Sequence, residues 1–290
     1  MMFELIYFSK WGAQLDLTDD PYIWLTNVDG MTSGISDLYT DIVPGVDGDL
    51  VNNVQAQARL IIMDLRIAAG VNVEEAKRHI LDVIKLKQTC TLRWTQNGRT
   101  WTIGGTVESI VMPRFSDEVT MQVTIHCSQP FWEDMDAVVT EINEYINLHY
   151  FTTDSRDMLY FPDEGIPFGE YDTSRTRTFI NAGDVAVGMI IEVLAYKTVT
   201  NPIIYGREGK FFGVGYGDKT VTMNAGDKLV INTIAGEKSV KLNGVSVLGK
   251  VKPRSTWLQL DAGENEFSVD SEDSEVDNMT FSIFFKQRYV

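Results

Sequence analysis

The sequence predicts a mainly β protein of two domains, and three observations carry that reading. Short apolar or alternating runs recur along the chain, each closed by a Gly, Asn-Gly, Asp-Gly or Pro signal. A single segment departs from this period to helical spacing. The pattern of the first domain stops at Gln129-Pro130-Phe131-Trp132, stays loose through a Tyr- and Phe-rich stretch, and resumes at Phe179. A β-sandwich-like domain with one α-helix and a hairpin is therefore expected at 1–133, a connector at 134–178 and a second β-sandwich at 179–290.

Met1 to Lys10 reads as the first strand. Asp29 to Asn53 follows as a long Gly- and Asp-rich stretch with few core-forming residues, containing Asp29-Gly30, Pro44-Gly45 and Asp47-Gly48. Loops of that length in a compact domain are uncommon. Two readings stand: an arm reaching a neighbouring subunit, or a surface loop. Asn72 to Lys87 is the helix. Ala76, Ile80, Val83 and Ile84 line one stripe, charged residues fill the other side, and Asn72 with Glu75 makes a capping-box pattern. A hairpin comes next, Cys90 to Gln96 and Arg99 to Gly105 about Asn97-Gly98, with Trp94 opposite Trp101 and Leu92 opposite Ile103. Residues 106–112 and 119–127 supply further strands.

The second domain reads as a series of short strands: 186–195, 210–214, 219–223, 228–232, a tight hairpin at Asn243-Gly244, 257–260, 266–269 and 279–285. Many short antiparallel strands spaced by turns mean a sandwich or jelly roll. The connector at 141–178 carries one or two strands at most.

The bulk composition narrows the function. Of 290 residues, 44% are hydrophobic and 11% aromatic, enough to fill a core. No apolar run reaches membrane-spanning length and the start carries no basic-then-apolar signal, so a soluble protein made without a secretory signal is expected. The net charge of −16 repels phosphates and acidic lipid, so neither nucleic acid nor membrane is an expected partner. Cys90 and Cys127 are expected as reduced core thiols, close together if their strands are neighbours.

A search for chemistry finds no catalytic, cofactor-binding or metal site. His79, His126 and His149 fall on a helix, a strand and the connector, none in metal-gathering spacing. Gly213 to Gly217 superficially has the look of a phosphate loop, but a strand and not a helix is expected after it. Asp270 to Asp277 lacks the glycine and closing glutamate of a calcium loop and reads as a solvated acidic loop. Glu133, Asp134 and Asp136 are not placed across any cleft. An enzyme is not expected.

The order of these features resembles the distal tail proteins (Dit) of long-tailed phages and phage-like particles of Gram-positive hosts. The resemblance is carried by the helix followed by Thr91-Leu92-Arg93-Trp94, the returning strand Thr100 to Val107 and the junction Gln129-Pro130-Phe131-Trp132-Glu133. In the second half it rests on Ile180-Asn181-Ala182-Gly183-Asp184, Asn201-Pro202-Ile203-Ile204, the run from Trp257 to Asn265 and the closing Phe281 to Tyr289. It spans nearly the whole chain. It implies a virion structural protein of the tail tip, made in the host cytoplasm. The N-terminal domains would form a hexameric ring joining the major tail tube protein to the tail-associated hub or lysin protein, with a receptor-binding protein as a further partner. The C-terminal domains would be galectin-like β-sandwiches projecting outward. The alternative is a carbohydrate-binding adhesin for host wall glycans, with Tyr205, Tyr216 and Trp257 as candidate sugar contacts.

Overall fold

The computed structural model describes residues 3–32, 34–45, 47–113, 119–142, 145–147, 169–171, 175–273 and 276–290. It contains two compact units, Met1–Asp136 with Arg288–Val290, and Ala137–Gln287. The protein is mainly β, as the sequence predicts. Its sheets are antiparallel, and a single α-helix occurs among the described residues. His149 and most of the expected connector lie outside those residues.

The first unit is built from β1 (Phe3–Ser9), β2 (Gln14–Asp16), β3 (Ile23–Asp29), β4 (Ser36–Ile42), β5 (Asp49–Ala56), β6 (Arg59–Ile67), α1 (Val73–Val83), β7 (Thr89–Gln96), β8 (Arg99–Val111), β9 (Thr120–Cys127) and β10 (Trp132–Asp134). One sheet runs β2-β1-β7-β8-β9-β6-β3. Alternation along each strand sends one set of side chains inward: Leu5 and Tyr7 from β1, Ile61, Met63 and Leu65 from β6, Val123 and Ile125 from β9. Strands from both ends of the sheet feed one core cluster, so the sheet curls over its own apolar face. The terminal strand Arg288–Tyr289 pairs with β10, which in turn pairs with β8.

The β7–β8 hairpin has the expected register, Leu92 opposite Ile103 and Trp94 opposite Trp101. Asn97 and Gly98 take φ of 51° and 82°, the left-handed values a two-residue turn demands. The two indoles lie 4.8 Å apart, and Trp132 meets Trp94 edge-on at 5.5 Å. The helix begins where its cap predicts, with Asn72 Oδ1 accepting from the Glu74 amide at 2.9 Å. It stops four residues earlier than expected. Ile84 is already extended, and Lys87 adopts a left-handed φ of 63°. Ala76, Ile80 and Ile84 are buried, so the stripe extends one residue beyond the helical backbone.

Cys90 on β7 and Cys127 on β9 are free and buried. Their strands are not neighbours, because β8 lies between them. Two strand spacings put their Cα atoms roughly 10 Å apart, beyond the ~7 Å a disulfide tolerates. Gly105 of β8, opposite Cys90, fills the space between. A Cβ there would fall 2.5 Å from Ile125 Cγ2 and 2.9 Å from Cys127 Sγ. Burial pushes the Cys90 thiol up to about 11 and the Cys127 thiol up to about 12.

The second unit holds β11 (Val138–Ile142), β12 (Tyr145–Asn147), β13 (Gly169–Tyr171), β14 (Thr176–Asn181), β15 (Val187–Gly188), β16 (Ile190–Ala195), β17 (Val199–Thr200), β18 (Ile203–Tyr205), β19 (Phe211–Gly213), β20 (Thr222–Met223), β21 (Lys228–Asn232), β22 (Ser239–Leu242), β23 (Val245–Ser246), β24 (Gln259–Leu260), β25 (Gly263–Asp270) and β26 (Met279–Phe285). A sheet ordered β11-β26-β16-β21-β22-β23 and another ordered β14-β25-β18-β19 share one core. Ile191, Val193, Phe281 and Ile283 come from the first, and Phe179, Ile204, Phe212 and Phe267 from the second. This is a two-layer β-sandwich. The Asn243-Gly244 turn joins β22 to β23, with φ of 49° and 82°.

Three buried asparagines brace its turns. Asn181 accepts from the Gly183 amide and donates to the carbonyls of Val185 and Leu260. Asn265 accepts from the Asp261 amide at 2.8 Å and donates to the Asp261 and Gly263 carbonyls. Asn201 accepts from the Val221 amide at 2.8 Å and donates to Glu272. Each amide replaces backbone partners that its turn lacks.

Two outcomes are expected of the thiol core. Gly105→Ala should lower unfolding free energy in urea by about 1–3 kcal/mol through overpacking. The raised thiols are protonated in the fold, so their contribution is whole below the unfolded value near 9 and is lost as pH rises toward about 11. Melting temperature followed from pH 8 to pH 11 should fall across that window, and less steeply in a Cys90→Ala, Cys127→Ala variant.

Candidate functional site

The stretch expected as a loop from Asp29 to Asn53 is instead largely a β-hairpin, β4 against β5. It pairs with no other strand among the described residues. Every residue of both strands is exposed. An isolated two-stranded hairpin is marginal in water, so this one is the least supported element of its unit.

The register divides the arm into unlike faces. Leu38 faces Val54 and Thr40 faces Val51, while Ile42, Ser36 and Ala56 lie on the same side. The opposite side carries Asp37 with Gln55, Tyr39 with Asn53 and Asp41 with Leu50. There Gln57 donates to Asp37 and Asn52 to Asp41, each at 2.5 Å. A bulge between Tyr39 and Thr40 sets Asn52 out of register. The arm thus has the alternation of a half-buried sheet, with nothing on its apolar side. Ile42 is 80% exposed and Leu38 62%. Eight of the 24 exposed large hydrophobics among the described residues fall between Ile35 and Val54. Covering one Leu, Ile or Val side chain is worth about 1.5–3 kcal/mol, so the arm holds a large unused binding free energy.

The base of the arm is held rigidly. The Met31 carbonyl accepts from the Arg59 guanidinium at 2.6 Å and from the Trp132 indole at 2.9 Å. Arg59 also reaches the Gly30 carbonyl at 3.3 Å. Arg59 and Trp132 are both buried, and burial lowers the Arg59 pKa from its ordinary value. Gly30 has φ of 83°, and a Cβ there would lie 1.9 Å from the Leu60 carbonyl oxygen. Only glycine turns the chain out of β3 at this point.

The polar residues singled out in the sequence hold structure together. His79 Nε2 meets Asp20 at 2.8 Å and its ring packs on Tyr22 at 4.7 Å. His126 is exposed, on the face of β9 opposite Cys127. Glu133 pairs with Arg288 at 2.6 Å, and Asp134 accepts from the Tyr289 hydroxyl at 3.0 Å. In the acidic loop, Asp273 accepts from the Thr200 amide and from Ser271, so part of that loop braces its neighbours. Among the described residues no group of His, Cys, Asp and Glu could hold a metal. After Gly213 to Gly217 comes the short strand β20, not a helix. Trp257 packs on Phe212 at 4.9 Å and edges a cavity of about 140 Å³ that Tyr205 and Tyr216 do not line. The three aromatics named for sugar contact are therefore not one site.

Residues 182–289 match the family model described as the C-terminal domain of siphovirus-type tail components, SPP1_Dit. Over that stretch the chain is similar to a phage tail component. The whole fold is similar to the crystal structure of the phage SPP1 Dit protein (gp 19.1). That match has a TM-score of 0.69 and 14% identity and covers 100% of both chains. The resemblance to the distal tail proteins of Gram-positive phages is thereby borne out. The phage P2 baseplate in its calcium-activated conformation is matched at 11% identity, over 99% of this chain and 98% of that one, with a TM-score of 0.47. The strontium form of the p2 baseplate is matched at 11% identity, over 98% of each chain, at 0.48. Neither adds to the argument at that similarity. Comparison with curated proteins finds no match.

The arm's apolar face is unburied in the single chain, so altering it should leave the subunit intact. Ile42→Thr and Leu38→Ser should each shift urea unfolding by less than about 0.5 kcal/mol. Gly30→Ala, by contrast, should cost about 2 kcal/mol or more, because backbone must move. Equal costs for the two kinds of change would contradict the division between a bare arm and a clamped base.

Proposed function

We propose that this chain is a distal tail protein that closes into a hexameric ring. The ring joins the major tail tube protein on one face to the tail-associated hub or lysin protein on the other, and serves also as a mount for a receptor-binding protein. The first unit forms the ring, and the second makes an outward-projecting, galectin-like sandwich. The relative SPP1 Dit is described as a paradigm of the hub adsorption apparatus, which fits a hub role here. The role is structural and non-enzymatic, and the protein is made in the host cytoplasm before joining the virion.

The observation that carries this reading is the projecting hairpin with its bare apolar face. A cyclic ring of identical subunits needs two unlike, complementary surfaces on every copy, and an arm is one such surface. Light scattering and negative-stain imaging of the full chain test it. Six chains of 32.7 kDa weigh about 196 kDa, and closed rings of that mass are expected. Replacing residues 36–56 by a short Gly-Ser linker should leave a folded monomer; rings of unchanged mass after that replacement would sink the arm's role.

A second reading, glycan binding by the second unit, has one feature in its favour. The cavity beside Trp257 is edged by Arg207, Lys210, Gln259 and Glu266 over Leu258 and Phe267, a mix of polar rim and apolar floor. Saturable binding of host wall polysaccharide by the full chain, lost in Trp257→Ala, would establish it.

A further inference from the structure

We infer that an uncharged cleft in the first unit is the seat for the hairpin arm of a second copy of this chain. The inference rests on the ring proposed above and names the surface that receives the arm. The cleft is shallow and open to solvent, measures about 440 Å³, and is lined by Phe3, Leu25, Val28, Met31 and Trp94 among uncharged polar residues that include Thr26. Phe3 is 39% exposed there, so apolar surface faces water on this side as well as on the arm.

Charge singles the cleft out. The chain carries 41 acidic and 25 basic residues, yet none of them lines it. Two copies at −16 each repel at long range, and they meet stably where both surfaces are free of charge. The arm's apolar face fits that requirement, because Leu38, Thr40, Ile42, Val51 and Val54 are uncharged and Asp49 lies only at its outer end.

Backbone adds a second match. Among the described residues β3 closes the sheet path and pairs with β6 alone, so no described strand occupies its other edge. Leu25 to Val28 of that strand form one wall of the cleft. An arriving strand can therefore bury side chains in the cleft while meeting unpaired amides and carbonyls along its rim. Trp94 lines the same cleft.

The occupant is not the chain's own arm. That arm leaves the unit at Met31, itself a wall residue, and stays exposed along its whole length. Nor does a foreign protein suit as well. Arm and cleft occur once on every copy, so seating one in the other covers both surfaces at each joint and repeats around a closed ring.

The test places a photoreactive benzoylphenylalanine at position 38 in the full chain, with equal parts of light and heavy isotope-labelled protein mixed before assembly. After irradiation, mass spectrometry should find mixed-isotope links from position 38 to residues 25–32 or 94–96. Links from assembled rings to any other surface, or rings giving no such link, overturn the docking site and leave the ring reading intact. A chain monomeric at every concentration overturns both. A charge exchange supplies an independent readout, since Thr26 and Val54 are both exposed. Thr26→Lys and Val54→Glu should each lower the assembled fraction at least ten-fold, and the chain carrying both should recover most of it. Undiminished assembly of both single variants would also overturn the docking site.

Discussion

The Met31 carbonyl, gripped by a buried guanidinium and a buried indole, is the interaction on which the rest of the first unit depends. It lies where β3 has ended and the chain must leave the sheet for the arm. A buried carbonyl with two strong donors cannot swing, so the exit direction is fixed. The donors come from far apart in sequence. Arg59 sits at the start of β6, just after the arm returns, and Trp132 lies on β10 near the end of the unit. The base of the arm is thus set only when both flanks of the sheet are in place.

The same side chains tie that base to the aromatic cluster. Trp132 packs edge-on to Trp94, Trp94 lies over Trp101, and Trp101 meets Tyr289 edge-on at 6.3 Å. Tyr289 is held by Arg99 and Asp134. Fixing the exit angle before association spares the entropy that a floppy segment loses on docking.

How much of this was legible follows from what each residue has to do locally. The Asn-Gly hairpins could be read because a two-residue turn admits few residues, and the register follows once the turn is known. The helix start was legible in Asn72, but its end was not, since the stripe through Ile84 continues after the backbone has turned extended. The arm was read as loop because the bulge at Tyr39 and Thr40 breaks period two and because its apolar residues join no core of their own chain. The short strands β14 and β18 were missed, being three to six residues among turn signals. Three phrases carrying the family resemblance have a physical basis that spacing alone did not reveal: each contains a buried asparagine, at 181, 201 and 265, whose amide completes a turn. For the candidate site, sequence located the excursion and offered the arm among two readings. The cleft stayed hidden, because its walls come from the first, third and seventh strands.

The strand Arg288–Tyr289 that completes the first unit's sheet comes from the far end of the chain. During synthesis the arm and most of its parent sheet leave the ribosome long before that closing strand does. Until then β10 lacks one of its two partners, and Glu133 and Asp134 lack theirs. The first unit is therefore complete only once Arg288 and Tyr289 have joined it.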